Sequence, residues 1–359
     1  MYQLALRPGR VKQVLESFEE MTVVEVIIPG EKNSKAINYP KLTGKVAAGD
    51  RVILNTTAVE LGLGTGGYHF ICFNLDQTTE KELLNREDGH ILKLRYTPYQ
   101  LRTRCWEEGD SDDIEKLRRR QNLVGFPVII IPLHSLLAPL VIVFKTFHPE
   151  KRVVYLMTEG GSLPIAFSNQ VRQLKEQGLI DSTITSGHAF GGDYETVNIF
   201  TGLLTAREQA RGDLIIAGIG PGIAGTGSRY GFSGVELAFV NYAINILQGK
   251  SIVVPRLGFF DQRQRHYGIS HHTITLLEEL IDRPVDLPCP FNDIITEQLK
   301  ETGIAGLHNI YFYPTTEVAA ILEKSSFPFH SMGRRLIDDP LFFYTAGLAC
   351  YRWEELMKE

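Results

Sequence analysis

From Pro127 onward the sequence alternates short apolar runs with helical stretches, and few architectures accommodate that order. The runs are Val128–Ile131, Val153–Met157, Thr183–Thr185, Leu214–Ile219, Ile252–Val254 and Ile310–Tyr313. Between them lie helix-forming segments at Phe167–Glu176, Val197–Gln209, Val235–Leu247 and Ile274–Ile281. Strands apolar on both faces and separated by helices of this length form βαβ units, hence a mostly parallel sheet covered on both sides. Right-handed crossovers then bring the loops that follow the strands to one rim, where open α/β sheets bind ligands.

The first hundred residues read differently. Arg10–Leu15, Val23–Ile28, Arg51–Asn55, Tyr68–Asn74 and Ile91–Tyr96 are short, mostly rich in β-branched or aromatic residues, and punctuated by the turn pairs Pro29-Gly30, Gly49-Asp50 and Asp88-Gly89. The spacing predicts a small barrel or sandwich. The expected fold class is therefore α/β: a small N-terminal β-barrel-like module followed by a mostly parallel, Rossmann-like α/β domain. The division expected is a β-rich module over 1–108, a helical linker over 109–126 and the parallel domain over 127–359. In the linker, Lys116, Arg118, Arg119 and Arg120 stand beside Asp112, Asp113 and Glu115, which predicts a solvated helix face rather than a phosphate track.

Composition removes several function classes. With 359 residues, 43% of them apolar and 22% charged, the chain has the make-up of a folded protein of about two domains. A net charge of −5 argues against nucleic acid as a partner. The apolar stretch Pro127–Phe144 is about as long as a minimal membrane span, but Pro127, Pro132 and Pro139 interrupt it, so a buried strand followed by a buried helix is expected. Cys72, Cys105, Cys289 and Cys350 lie far apart without a CxxC pair, as incidental thiols of a reducing compartment do. The N-terminus lacks the order of a signal peptide, and a cytoplasmic location is expected. The last helical stretch, Leu341–Leu356, is apolar on more than one side, which fits either a domain core or a homo-oligomer contact.

The residues that carry chemistry gather after the strands. Gly187–Glu195 holds His188 and Asp193, a base with a carboxylate to orient it. The loop after Val254 holds Asp261, Arg263, Arg265, His266, Ser270, His271, His272 and Thr273. His188, Asp193 and His272 are the catalytic candidates; the spacing assembles no metal set, and no cofactor is assigned.

The stretch after Ile219 is the most informative. Gly220, Gly222 and Gly225 match GxGxxG behind a strand, but the dinucleotide fingerprint also needs a helix opening at the glycines and an acid at the end of the next strand. Here the helix is expected near Ser233, and no Asp or Glu ends Ile252–Val254. A different anion site fits better: backbone amides at Gly220, Gly222, Gly225 and Gly227, hydroxyls of Thr226, Ser228 and Ser233, and the charge of Arg229.

Leu54–His69, Gly89–Gln100, Gly187–Asn198, Gly220–Gly234, His266–Thr273 and the turn Ser331-Met332-Gly333-Arg334 together resemble a bacterial family known as a domain of unknown function (domain of unknown function 3866). The resemblance runs over nearly the whole chain and implies a cytoplasmic bacterial protein; it carries over no catalytic residue. The leading expectation is an enzyme acting on a small anionic metabolite, phosphorylated or nucleotide-like. The alternatives are a non-catalytic metabolite-binding or protein-interaction module, and an NAD(P)-dependent oxidoreductase.

Overall fold

A computed structural model describes residues 3–31, 33–76, 89–109, 112–119 and 122–359. Asp88 and Arg120 fall outside them. The chain divides into two compact units, the first ending at Thr103 and the second running from Arg104 to Glu359.

The first unit is a closed barrel of β1 (Leu6–Ser17), β2 (Thr22–Ile27), β3 (Ser34–Asn38), β4 (Arg51–Asn55) and β5 (Tyr68–Asn74), in the order β1-β2-β3-β5-β4. The β3/β5 pairing is parallel and the other pairings are antiparallel. Short helices α1 (Pro40–Thr43) and α2 (Thr57–Glu60) connect β3 to β4 and β4 to β5. Val11, Val24, Val26, Ile28, Ala36, Val52, Leu54 and Ile71 fill the interior. Strand β3 adds to the expected set: Ser-Lys-Ala-Ile-Asn is too polar to stand out by pattern, yet Ala36 and Ile37 are buried. Ile91–Tyr96 yields only a three-residue strand, β6 (Ile91–Lys93), paired with β7 (Leu101–Thr103).

The second unit opens with α3 (Asp112–Arg119), where Arg118 and Arg119 both pair with Glu115. It continues through β8 (Pro127–Ile131), α4 (Leu137–Phe147), β9 (Val153–Thr158), α5 (Asn169–Glu176), β10 (Ser182–Ser186), β11 (Tyr194–Thr196), α6 (Ile199–Glu208), β12 (Leu214–Ile219) and α7 (Glu236–Ile246). Then come β13 (Lys250–Val253), the ribbon β14 (Leu257–Gly258) and β15 (Gly268–Ile269), α8 (His271–Thr275), β16 (Asp286–Pro290), α9 (Asp293–Glu301), α10 (Ile304–Leu307), β17 (Asn309–Tyr313) and α11 (Thr316–Lys324). The ribbon β18 (His330–Ser331) and β19 (Arg334–Arg335) precedes the final helix α12 (Pro340–Lys358).

Eight strands make one parallel sheet in the order β11-β10-β9-β12-β8-β13-β16-β17. Alternate residues of each central strand enter opposite cores. Ile129, Ile131, Tyr155, Met157 and Ile216 pack with α4, α5, α11 and α12, while Val128, Ile130, Val154, Leu156 and Ile215 pack with α6, α7 and α9. The stretch Pro127–Phe144 is accordingly a buried strand and a buried helix, and among the described residues no helix is long and apolar enough to cross a membrane.

β16 was not legible as a strand, because Asp-Leu-Pro-Cys-Pro carries two prolines that cannot donate to a ladder. All five residues pair with β17, but only Asp286 pairs with β13, so the prolines fall where one side of the ladder is left short.

The helix after β8 lies on one face of the sheet, and the helices after its neighbours β12 and β13 leave on the other. The chain therefore diverges on both flanks of the β8 carboxyl end, the geometry that opens ligand crevices in such sheets.

Candidate functional site

On the β12 flank of β8 the divergence leaves a cleft of about 300 Å³. Its walls are Leu133–Ser135 after β8, Phe167–Gln170 at the start of α5, Gly220–Ile223 after β12, and His330–Met332. At its base His134 connects three elements. Its Nδ1 lies 3.1 Å from Tyr155 Oη and its Nε2 lies 2.6 Å from Ser168 Oγ. Tyr155 Oη donates to the carbonyl of Ile219 at 3.2 Å, so its proton is committed and it accepts from Nδ1–H. That assignment, made from the hydrogen-bond pattern, leaves the Nε2 lone pair facing the Ser168 hydroxyl proton. Burial pushes the His134 imidazole down to about 4, opposed by its contact with the Ile219 carbonyl, so it is a neutral base near pH 7.

Ser168 is also the N-cap of α5 and accepts from the Val171 amide at 3.0 Å. The neighbouring first-turn amides, of Asn169 and Gln170, have no intrahelical acceptor, and both residues line the cleft. Ser135 and Ser331 face each other across it at 2.8 Å between hydroxyl oxygens.

On the β13 flank the loop from Arg256 to His272 forms a basic cluster. The rings of His266, His271 and His272 pack together with centroids 4.2 to 5.2 Å apart. Burial, reinforced by neighbouring arginines, pushes His266 down to about 3, and burial with the adjacent His271 pushes His272 down to about 4. His271 is lowered as well, by burial and then by Arg265. Arg256 is buried, and burial together with Arg334 lowers it to about 10. Asp261 serves both Arg263, at 2.7 Å, and Arg256, at 3.4 Å. The two flanks touch: Leu133 and Ile223 line both, and Arg256 Nη2 lies 3.9 Å from Sδ of Met332 in the cleft wall.

The glycine-rich loop lies between them. Gly220 and Gly222 line the cleft, whereas Gly225 lies against His272, whose ring stacks on Phe232 at 4.1 Å. Gly227 approaches Arg265. The loop's polar side chains are largely used within the fold. Thr226 Oγ1 bonds Ser228 Oγ at 2.8 Å and donates to the Gly231 carbonyl; Ser233 Oγ accepts from the Ala224 amide; Arg229 and Tyr230 both bind Glu279. The loop thus presents backbone and glycine surface to the crevice, and α7 opens only at Glu236, beyond the reach of a dinucleotide fingerprint at Gly220–Gly225.

His188 sits farther along the rim, after β10. Its amide donates to the Glu159 carboxylate at 2.6 Å. Asp193 binds Lys175 and accepts from both the amide and the hydroxyl of Thr183. Glu236 lies beside Glu159 and is raised by burial first, with the Glu159 charge adding to it. Among the described residues no group of three or more His, Cys, Asp or Glu is arranged to hold a metal ion. The four cysteines are buried.

His134, Tyr155, Ser168 and Arg256 were not singled out as site residues by sequence reading. His134 carried the available signal, as the first ionisable side chain after a buried parallel strand. The other three become visible only through the strand order, which flanks β8 with β12 and β13 and sets β9 on the far side of β12.

A family model described as a protein of unknown function, DUF3866, matches residues 35–350, and the chain belongs to that family. No curated protein and no solved structure matches the chain.

Proposed function

We propose that this protein is an enzyme acting on a small anionic ligand seated in the crevice beside the β8 carboxyl end, with His134 and Ser168 as the proton-handling pair. The observation that carries this reading is the 2.6 Å contact between a neutral imidazole and a hydroxyl at the base of a cleft. His134 Nε2 accepts the Ser168 proton as Oγ bonds to an electrophilic phosphorus or carbonyl carbon of the ligand. The imidazolium returns that proton to the leaving oxygen or nitrogen as its bond to that centre breaks, and Tyr155 holds the imidazole in the tautomer required. The first-turn amides of α5 sit where negative charge on the ligand or the transition state would be stabilised.

A second reading is a metabolite-binding protein without turnover. It is favoured by the position of Ser168, only 3% exposed and already accepting the Val171 amide.

The test begins with thermal unfolding against phosphate, nucleotides, dinucleotides, coenzyme A and divalent metals. A ligand at about a hundred times its Kd adds roughly 2.7 kcal/mol. The class that raises Tm is then incubated with the protein and followed by mass spectrometry. Consumption by the wild type that is lost in His134→Ala and Ser168→Ala supports the enzyme. Binding without consumption gives the protein to the second reading, and consumption undiminished in both variants removes the assigned pair.

A further inference from the structure

We propose that the basic cluster on the β13 flank of β8 is a phosphoryl-binding subsite, built from Arg263, Arg265, Arg256 and His271. In joining it to the His134 cleft the proposal rests on the reading above.

The first argument is charge. Arg256, Arg263 and Arg265 lie within one loop, and the carboxylate beside them is Asp261, held in a two-pronged contact by Arg263. Arg334, which also acts on Arg256, is committed to Asp339 at 2.9 Å. Three guanidiniums against one carboxylate leave an excess of positive charge, concentrated against a buried wall. Arg265 has no carboxylate partner among the described residues.

The second argument is the state of the polar atoms. His271 Nε2 and both ring nitrogens of His272 are sequestered from solvent without a hydrogen-bond partner among the described residues. A buried polar atom left this way costs free energy unless something in the working molecule satisfies it. Neutral imidazoles offer an N–H donor without demanding a counterion, and guanidiniums offer paired donors that match adjacent oxygens of a tetrahedral oxyanion. The set suits a phosphate ester or a diphosphate better than a single carboxylate, which has only two oxygens to share among these donors.

The third argument is position. The glycine-rich loop comes close to the cluster at Gly225 and Gly227: a Cβ at Gly225 would stand 3.2 Å from Cε1 of His272, and one at Gly227 3.6 Å from Nη1 of Arg265. Arg256 reaches Met332 in the wall of the adjoining cleft. Leu133 and Ile223 border both the cleft and the small space beside Arg256 and His272, so the cluster adjoins the cleft.

Isothermal titration of the full chain with inorganic phosphate and with pyrophosphate tests the subsite without knowledge of the substrate. The wild type should bind, more tightly at low salt. Arg265→Gln, Arg263→Gln and His271→Gln should each weaken binding about tenfold or more while circular dichroism stays unchanged. Absence of phosphate and pyrophosphate binding, or wild-type affinity in both Arg265→Gln and Arg263→Gln, overturns the subsite. The enzyme reading fails separately, through turnover that survives in His134→Ala; arginine-dependent phosphate binding in that case leaves the subsite standing.

Discussion

Ser168 Oγ lies 2.6 Å from His134 Nε2 while accepting the amide proton of Val171, so one oxygen both caps a helix and faces an imidazole. Ser168→Ala removes both contacts and should cost about 1 kcal/mol through the cap alone. Ser168→Asp separates the roles. A carboxylate still accepts the Val171 amide, but it faces Nε2 with negative charge and should draw the His134 pKa upward from about 4. Nitrogen-detected NMR of the imidazole checks this. A His134 signal whose titration is identical in Ser168→Asp and wild type would mean that the contact does not form in solution.

Arg229 and Tyr230 at the tip of the glycine-rich loop both bind Glu279, which lies in the π-helical turn Leu276–Leu280 after α8. Arg229 is 63% exposed, so its ion pair should contribute no more than about 1 kcal/mol. Glu279→Gln is therefore expected to shift Tm by only a few degrees, roughly. Its larger effect should be local: faster amide hydrogen exchange across 224–233, since the loop loses the anchor that ties its tip to the turn after α8. Unchanged exchange there would show that the Thr226, Ser228 and Gly231 contacts hold the loop by themselves.

The parallel sheet was legible because strands such as Leu214–Ile219, apolar at every position, have only one stable setting, between two helical layers. What was lost follows from the same reasoning. Asp286–Pro290 violates the strand pattern, and Ser34–Asn38 is too polar to show it. Around the site, the glycine-rich loop was readable from its composition, but the use of its hydroxyls was not: Thr226, Ser228 and Ser233 face partners within the loop itself. His134, Tyr155 and Ser168 stand 21 and 13 positions apart in sequence and meet only because β12 inserts between β8 and β9 while the chain after β9 turns back over the rim. No local pattern encodes that order.

Acid should destabilise the protein through its neutral histidines. His134, His266 and His272 have folded pKa values of about 4, about 3 and about 4, below the unfolded value near 6.5. Between those limits the unfolded chain binds protons that the folded chain does not, so stability rises with pH. It is fully present above about pH 6.5 and is lost as pH falls toward 4 and below. His134 alone would supply a slope of about 1.4 kcal/mol per pH unit in that window. Urea unfolding at pH 7, 6 and 5 measures the total slope, and His134→Gln should flatten it by about that amount. An equal slope in the variant would remove His134 from the account.

The approach of the β9 loop to the β12 loop depends on Gly161. A Cβ there would stand 2.2 Å from the Gly220 carbonyl oxygen, 2.8 Å from its carbon and 3.0 Å from the Pro221 oxygen, all backbone atoms. None of them can rotate away, so Gly161→Ala must push the loops apart and strain the bond from the Ser162 amide to the Pro221 carbonyl, now 2.7 Å. Overpacking of this kind costs about 1–3 kcal/mol. Because Gly220 and Pro221 form a wall of the cleft, the variant should also respond less to whichever ligand raises the Tm of the wild type. Gly222→Ala is the comparison: a Cβ there meets nothing within 4 Å, and the cost comes only from its φ of +92°. If both variants lose the same stability but only Gly161→Ala loses the ligand response, the β9–β12 approach shapes the crevice. A Gly161→Ala protein with full ligand response would place the ligand elsewhere on the rim.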